Sequence, residues 1–114
     1  MSTKKDDKKA YKLMKFRAGI FQIKNLTNNK LFLKTSTDLD RAYNSDMFQL
    51  KMGLHSNSEL QNDWNTLGAD SFEFDVFDEL KTSDSASELE INNDLKEFIK
   101  LHRTDLIEKG ILLY

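Results

Sequence analysis

The chain has 114 residues, 39% hydrophobic and 32% charged, with a formal net charge of −2, which fits one globular domain and leaves no room for a second full one. It contains no cysteine and no proline, so disulfides and thiolate metal sites are excluded and an intracellular, cytoplasmic protein is expected. The longest apolar runs are three or four residues, which excludes a membrane-spanning helix, and the opening MSTKKDDKKAYK lacks the apolar core of a secretory signal.

The charge is unevenly placed. Residues 1–17 carry seven basic and two acidic side chains, 7 − 2 = +5, which leaves 10 basic and 17 acidic residues, −7, for the rest. Affinity for a nucleic-acid backbone comes from Lys and Arg that neutralise phosphates. Here only the arm, with Lys4, Lys5, Lys8, Lys9 and Lys12, is equipped for that. Two readings of the arm stand side by side: a solvated, partly helical tail with Ala10, Leu13 and Met14 as a weak apolar stripe over 4–16, or an electrostatic arm for DNA or an acidic partner. The domain proper is expected over residues 18–114.

Ala18-Gly19-Ile20-Phe21-Gln22-Ile23 reads as a strand, and Lys30-Leu31-Phe32-Leu33-Lys34 as a second. Asn28-Asn29 between them tolerates positive φ, so the two should form a hairpin. A helix follows, with Thr37 as its expected cap, Asp38 and Asp40 in its first turn, and Leu39, Tyr43, Met47, Leu50 and Leu54 at helical spacing up to Gly53. Ser56-Asn57-Ser58-Glu59 has the form of a capping box for the next helix. Its apolar face is Leu60, Trp64 and Leu67, and Gly68 ends it. Ser71 to Phe77 alternates apolar and acidic residues, as a strand with one buried face does. The acids Glu73, Asp75, Asp78 and Glu79 are therefore expected on a solvated face rather than around a metal.

After a polar loop over 81–87, Ser87-Glu88-Leu89-Glu90 is a second capping box. The helix it opens carries Ile91, Leu95, Phe98 and His102 on one stripe, with Ile99 beside it. Gly110 should end the helical region, and Ile111 to Tyr114 either adds a short strand or packs under the helix. The order strand, strand, helix, helix, strand, helix predicts an α/β (α+β) domain: a small, mainly antiparallel sheet flanked by helices.

The residues point further than this order does. Gly19-Ile20-Phe21 is followed by Ile23, Asn25 and then Asn28-Asn29-Lys30-Leu31-Phe32-Leu33. Thr35-Ser36-Thr37-Asp38-Leu39 turns into the first helix. Gly53, His55, Asn57, Leu60, Gln61, Trp64, Asn65 and Gly68 succeed one another before Phe72, Phe74 and Val76. In order and spacing this resembles the GIY-YIG endonuclease family, most closely its branch of intron-encoded homing endonucleases, over residues 18 to about 80 with a weaker extension through the last helix. The resemblance implies a three-stranded antiparallel sheet flanked by helices. It also implies phosphodiester cleavage with one divalent cation, Mg²⁺ or Mn²⁺.

The same resemblance implies a site that has lost most of its chemistry. Its first tyrosine, which deprotonates or orients the attacking water, is Phe21, and its second, which positions the reacting groups, is Phe32. A phenyl ring keeps the volume and has no donor, acceptor or titratable proton. The glycine of the second motif is Lys34. The arginine that stabilises phosphate charge falls at Ala42, with Arg41 one residue earlier, a rotation of about 100° on a helix. A family histidine falls at Asp46, where a carboxylate is expected to repel phosphate. A second family histidine survives as His55. The metal-binding glutamate falls at Leu95, which offers a hard cation no oxygen. Glu90, Asp94 and Glu97 are nearby alternatives, although the capping box accounts for Glu90 and a solvated helix face for Glu97. On the residues alone, His55 reads as a hydrogen-bonding loop residue and His102 as a packed helix residue.

Three functions follow as expectations. The first is a degenerate nuclease-like domain kept as a binding or interaction module, with no cofactor. The second is a slow nuclease using Mg²⁺ or Mn²⁺ with Arg41, His55 and a carboxylate such as Glu90 or Glu97. The third is a non-catalytic DNA-binding regulator working through the basic arm. Without DNA, the partner of the first would be an as yet unknown protein.

Overall fold

Strands β1 (Ala18–Asn25), β2 (Leu31–Ser36) and β3 (Phe72–Leu80) form one antiparallel sheet in the order β2-β1-β3. The computed structural model describes residues 17–83 and 85–114. The arm lysines Lys4, Lys5, Lys8, Lys9 and Lys12, and the helix expected over 4–16, lie outside the described residues. The expected hairpin is present, with Asn29 at φ 62° and its N–H donating to Asn25 O at 2.7 Å. The Asn25 side chain is fully buried and ties the turn together. Its Oδ1 accepts from the Thr27 N–H at 2.9 Å and from the Thr27 hydroxyl at 2.6 Å.

Among the described residues three α-helices accompany the sheet: α1 (Leu39–Met52), α2 (Ser58–Leu67) and α3 (Glu88–Glu108). Two of their caps differ from expectation by one residue. Asp38, not Thr37, caps α1, accepting from the Arg41 N–H. The Ser36 hydroxyl accepts from the Asp38 N–H and donates to the Asp38 carbonyl, which fixes Asp38 in the extended geometry of a cap. Asn57, not Ser56, caps α2 and accepts from the Leu60 N–H. The Asn57 N–H is itself engaged by the His55 ring, and Glu59 pairs with Lys30 instead of closing a box. At Ser87 the first half of the expected box forms, with the Glu90 N–H donating to Ser87 Oγ at 3.1 Å, while Glu90 Oε1 accepts from the Ser87 hydroxyl at 3.2 Å rather than from the Ser87 N–H.

The sheet has a core on each face. Phe21, Ile23, Phe32 and Phe72 pack with Leu39 and Leu50 of α1 and Leu60 and Trp64 of α2 on one face. Ile20, Leu31 and Leu33 pack with Phe98, Ile99 and Leu106 of α3 on the other. Residues 111–114 do some of both: the Leu31 N–H donates to Leu112 O and the Tyr114 N–H to Leu31 O in a single parallel bridge at the start of β2, while Ile111 and Leu113 pack on the core under α3. The first residue of that edge is thereby paired.

Strict alternation along β3 fails at one point. Ile20 pairs with Asp78 while Phe21 pairs with Val76, so Phe77 is an extra, bulged residue. Phe77 joins the α3 core, and Asp78 contacts His102 Nε2 at 3.0 Å. Asp78 therefore faces α3 and is not on the solvated face expected for it. Next to the bulge the backbones of β1 and β3 come so close that a Cβ on Gly19 would lie 2.3 Å from Asp78 O.

Candidate functional site

The two strand motifs bring Phe21 and Phe32 together beneath α1 and α2. Both rings are buried, Phe21 at 3% exposure and Phe32 at 8%, and they meet edge to face with centroids 6.5 Å apart. Phe32 also lies edge-on to the His55 ring at 5.2 Å. Both residues are core members.

Three residues singled out separately in the sequence prove to be one network. Asp46 is buried on α1, and its Oδ2 lies 2.8 Å from His55 Nε2 while its Oδ1 accepts from Lys34 Nζ at 3.3 Å. The Asn57 N–H donates to His55 Nδ1 at 3.0 Å. With that nitrogen acting as acceptor, the ring proton sits on Nε2 and points at Asp46. The His55 N–H donates to Gln61 Oε1, and Gln61 Nε2 donates to Leu50 O and Asn65 Oδ1. The carboxylate at position 46 is thus turned inward against a lysine and an imidazole. A buried carboxylate without partners would be costly. Lys34 supplies one of those partners.

Arg41 is exposed, whereas Ala42 is partly buried against the core that contains Phe21. The structure does not bring Arg41 into the concavity at Phe21. That concavity, about 210 Å³, has Phe21, Leu39, Phe74 and Val76 as its apolar lining and Arg17, Asp40, Tyr43 and Asp75 as its polar lining. Arg17, which the charge count groups with the arm, is tied to the body of the domain. Its carbonyl accepts from the Leu39 N–H at 2.8 Å. Its guanidinium reaches Asp40 at 2.9 Å and Glu79 at 3.5 Å. The hydrogen bond and charge of Asp40, and then those of Glu79, raise its pKa further above the ordinary arginine value.

Leu95 is buried on α3, and α3 packs on the sheet face opposite Phe21. Glu90 is held in the capping box and Glu97 is exposed. Among the described residues no group of three or more His, Cys, Asp or Glu is placed to hold a metal ion. Leu95, where the resemblance places a metal-binding glutamate, offers a hard cation no oxygen, so the residue present does not fit that ion. His102 packs against Phe77 and Phe98 at 5.0 and 4.9 Å, as a packed helix residue would.

Sequence reasoning missed Arg17, Asp40, Tyr43 and Asp75 as neighbours of Phe21. Tyr43 has helical spacing with Leu39 and was placed with the core, yet it is 44% exposed and stands edge-on to Phe74 at 5.0 Å. The pairing of Lys34 with Asp46 had a signal: two departures of opposite charge within one constellation.

No family model matches the chain. Over 64 residues it is 33% identical to intron-associated endonuclease 1 of Enterobacteria phage T4, a match covering 56% of this chain and 26% of that protein. The chain thus spans about a quarter of the length of that curated relative. Among solved structures it superposes on the catalytic domain of homing endonuclease I-TevI with a TM-score of 0.54 and 31% identity, covering 71% of this chain and 87% of that one. A glutamate-to-alanine mutant of the I-TevI catalytic domain gives a TM-score of 0.53 at 29% identity, over 73% of this chain and 84% of the other.

Proposed function

The chain belongs to the GIY-YIG endonuclease family, with the homing endonuclease-like members, and from that premise we propose that its nuclease chemistry is lost and that it serves as a binding module. The observation that carries this reading is the state of His55. Its side chain is wholly buried, its Nε2 is committed to Asp46 and its Nδ1 to the Asn57 N–H. No nitrogen is left to touch a phosphate or a water. The polar group that persists from the family pattern is now part of the core.

Other positions support the same reading. Phe21 and Phe32 have no proton to give or take. Leu95 offers no oxygen to a cation. Groups of a catalytic site act as a unit, so the loss of one removes most of the rate and further losses add little. The test is to incubate the purified protein with plasmid and branched DNA in Mg²⁺ or Mn²⁺. No cleavage above a protein-free blank is expected. Divalent-dependent cleavage above that blank would overturn the proposal.

One observation favours a second reading, a slow metal-dependent nuclease: the carboxylate of Asp40 lies beside Arg17 at the concavity under Phe21. In that reading, cleavage would be lost in Asp40→Asn rather than in Arg41→Ala. DNA binding through the basic arm is a separate proposal, supported by the charge of residues 1–17. It requires binding that weakens steeply with salt.

A further inference from the structure

We infer that the outer edge of β3 is a docking strand, and that it takes up an extended segment of a partner protein in which apolar and basic residues alternate. The inference rests on the reading of the domain as a binding module and names the partner of that module. β3 ends the sheet, with β1 on one side and, among the described residues, no strand on the other. The Leu26 N–H donates to Ser71 O. From that pair onward, hydrogen-bonded and non-hydrogen-bonded pairs alternate along the antiparallel register. Glu73 and Asp75 therefore turn their backbone groups toward β1, whereas Phe72, Phe74 and Val76 turn theirs outward. Val76 shows this directly: its N–H donates to a side chain, Asp75 Oδ1, at 2.8 Å. A row of outward backbone groups is a template for a further strand.

The side chains of β3 say which strand fits. Residues directly opposite each other in antiparallel strands share a face. On one face Phe74 and Val76 are partly buried and line the concavity with Leu39 and Tyr43 of α1. An apolar residue set opposite either of them would lie along the open side of that concavity, against the exposed ring of Tyr43. On the other face Glu73 and Asp75 are exposed, so the residues set opposite them are basic. A lysine or arginine there also draws the Asp75 carboxylate off the Val76 N–H and frees that donor for the new ladder. Until then Asp75 guards the edge, as charged side chains on edge strands do. A second copy of this chain does not fit. β3 laid antiparallel on its own copy would set Glu73 and Asp75 among the same carboxylates, and facing like charges destabilise a strand pair.

The test uses the full chain, the peptide acetyl-Lys-Val-Lys-Val-Lys-Val-amide, NMR titration and amide hydrogen exchange. Expected are saturable shifts along β3 and at Tyr43, with exchange slowed at the Phe74 and Val76 amides. Methyl groups on the valine nitrogens, which face β3 in this pairing, should weaken binding at least tenfold relative to methyl groups on the lysine nitrogens. A peptide with glutamate in place of lysine should bind at least tenfold more weakly than the parent peptide. Asp75→Lys should lose binding by a similar factor while keeping a dispersed spectrum. Glu108→Lys, the same charge change at the exposed end of α3, should bind like the parent protein. The inference is overturned by the absence of saturable shifts on β3, by equal binding of the two methylated peptides, or by equal binding of the acidic one. It is also overturned if the protein alone dimerises with rising concentration and protects the same amides, which would make a second copy the occupant. DNA cleavage would refute the loss of nuclease chemistry without touching the peptide titration, so the two failures are distinguishable.

Discussion

Gly19→Ala should be among the most damaging single-methyl additions in this chain. The added Cβ would sit 2.3 Å from Asp78 O and 2.8 Å from Glu79 Cα, both backbone atoms of β3. Ordinary contact begins at 3.4 Å, so β3 would have to retreat by 3.4 − 2.3 = 1.1 Å. The retreat falls where Ala18, Gly19 and Ile20 pair with Leu80, Glu79 and Asp78. Overpacking of this kind costs about 1–3 kcal/mol, and each ladder hydrogen bond weakened by the retreat adds up to about 1 kcal/mol. The stiffer unfolded chain returns about 0.4–1 kcal/mol. The expected net loss is about 2–3 kcal/mol, read as a fall in the urea midpoint at constant slope, about 1–2 M for a slope near 1.5 kcal/mol/M. Gly53→Ala is the control. It has positive φ but nothing within 4 Å of its Cβ, so only the left-handed cost of about 1–2 kcal/mol applies. Hydrogen exchange should show protection lost over residues 78–80 in Gly19→Ala and not along β2. A Gly19→Ala protein within about 0.5 kcal/mol of the parent would refute the argument that this motif glycine exists for close strand approach.

Further outcomes follow from the core and the C-terminal tail. Asp46→Ala leaves the His55 Nε2–H buried without an acceptor and should cost about 2–4 kcal/mol by chemical denaturation; Lys34→Met, at a half-exposed side chain with a 3.3 Å contact, should cost under about 1 kcal/mol. Phe32→Tyr restores a family hydroxyl beside a His55 whose nitrogens are engaged; it should destabilise by about 1–2 kcal/mol and produce no DNA cleavage. Tyr114 donates to Asp63 Oδ2 at 2.5 Å and accepts from Asn25 Nδ2 at 2.9 Å. Burial first, and then the hydrogen bond to Asp63, push its phenol from 10.0 up to about 12. The unfolded chain therefore loses this proton first. The stability it confers is complete below pH 10.0 and disappears as pH climbs through about 12. Melting curves between those limits should show the loss, and Tyr114→Phe should remove that portion of it.

Much of this protein was legible in the sequence because the deciding forces are local. Alternation fixed the strands, Asn28-Asn29 the hairpin, Ser87 and Glu90 the start of α3, and positive φ at Gly53 and Gly110 the helix ends. Motif spacing along adjacent strands fixed the register of Phe21 and Phe32, and with it the family. One-residue shifts in the caps escaped because Ser36 and His55 reorganise the backbone next to them. The fate of Asp46 was not legible, since a carboxylate on a helix is exposed by default. Only the approach of β2 and of the loop before α2 supplies the lysine and the imidazole that let it be buried. The bulge at Phe77 was hidden for a similar reason: alternation within one strand says nothing about how many residues its neighbour sets against it. The concavity at Phe21 draws Arg17, Asp40, Tyr43 and Asp75 from three separate stretches of chain. The sequence by itself determined that positions 21, 32 and 95 carry no hydroxyl and no carboxylate. Tertiary packing alone decided what became of the polar groups that remain, because burial and hydrogen-bond partners belong to the surroundings of a side chain and not to its identity.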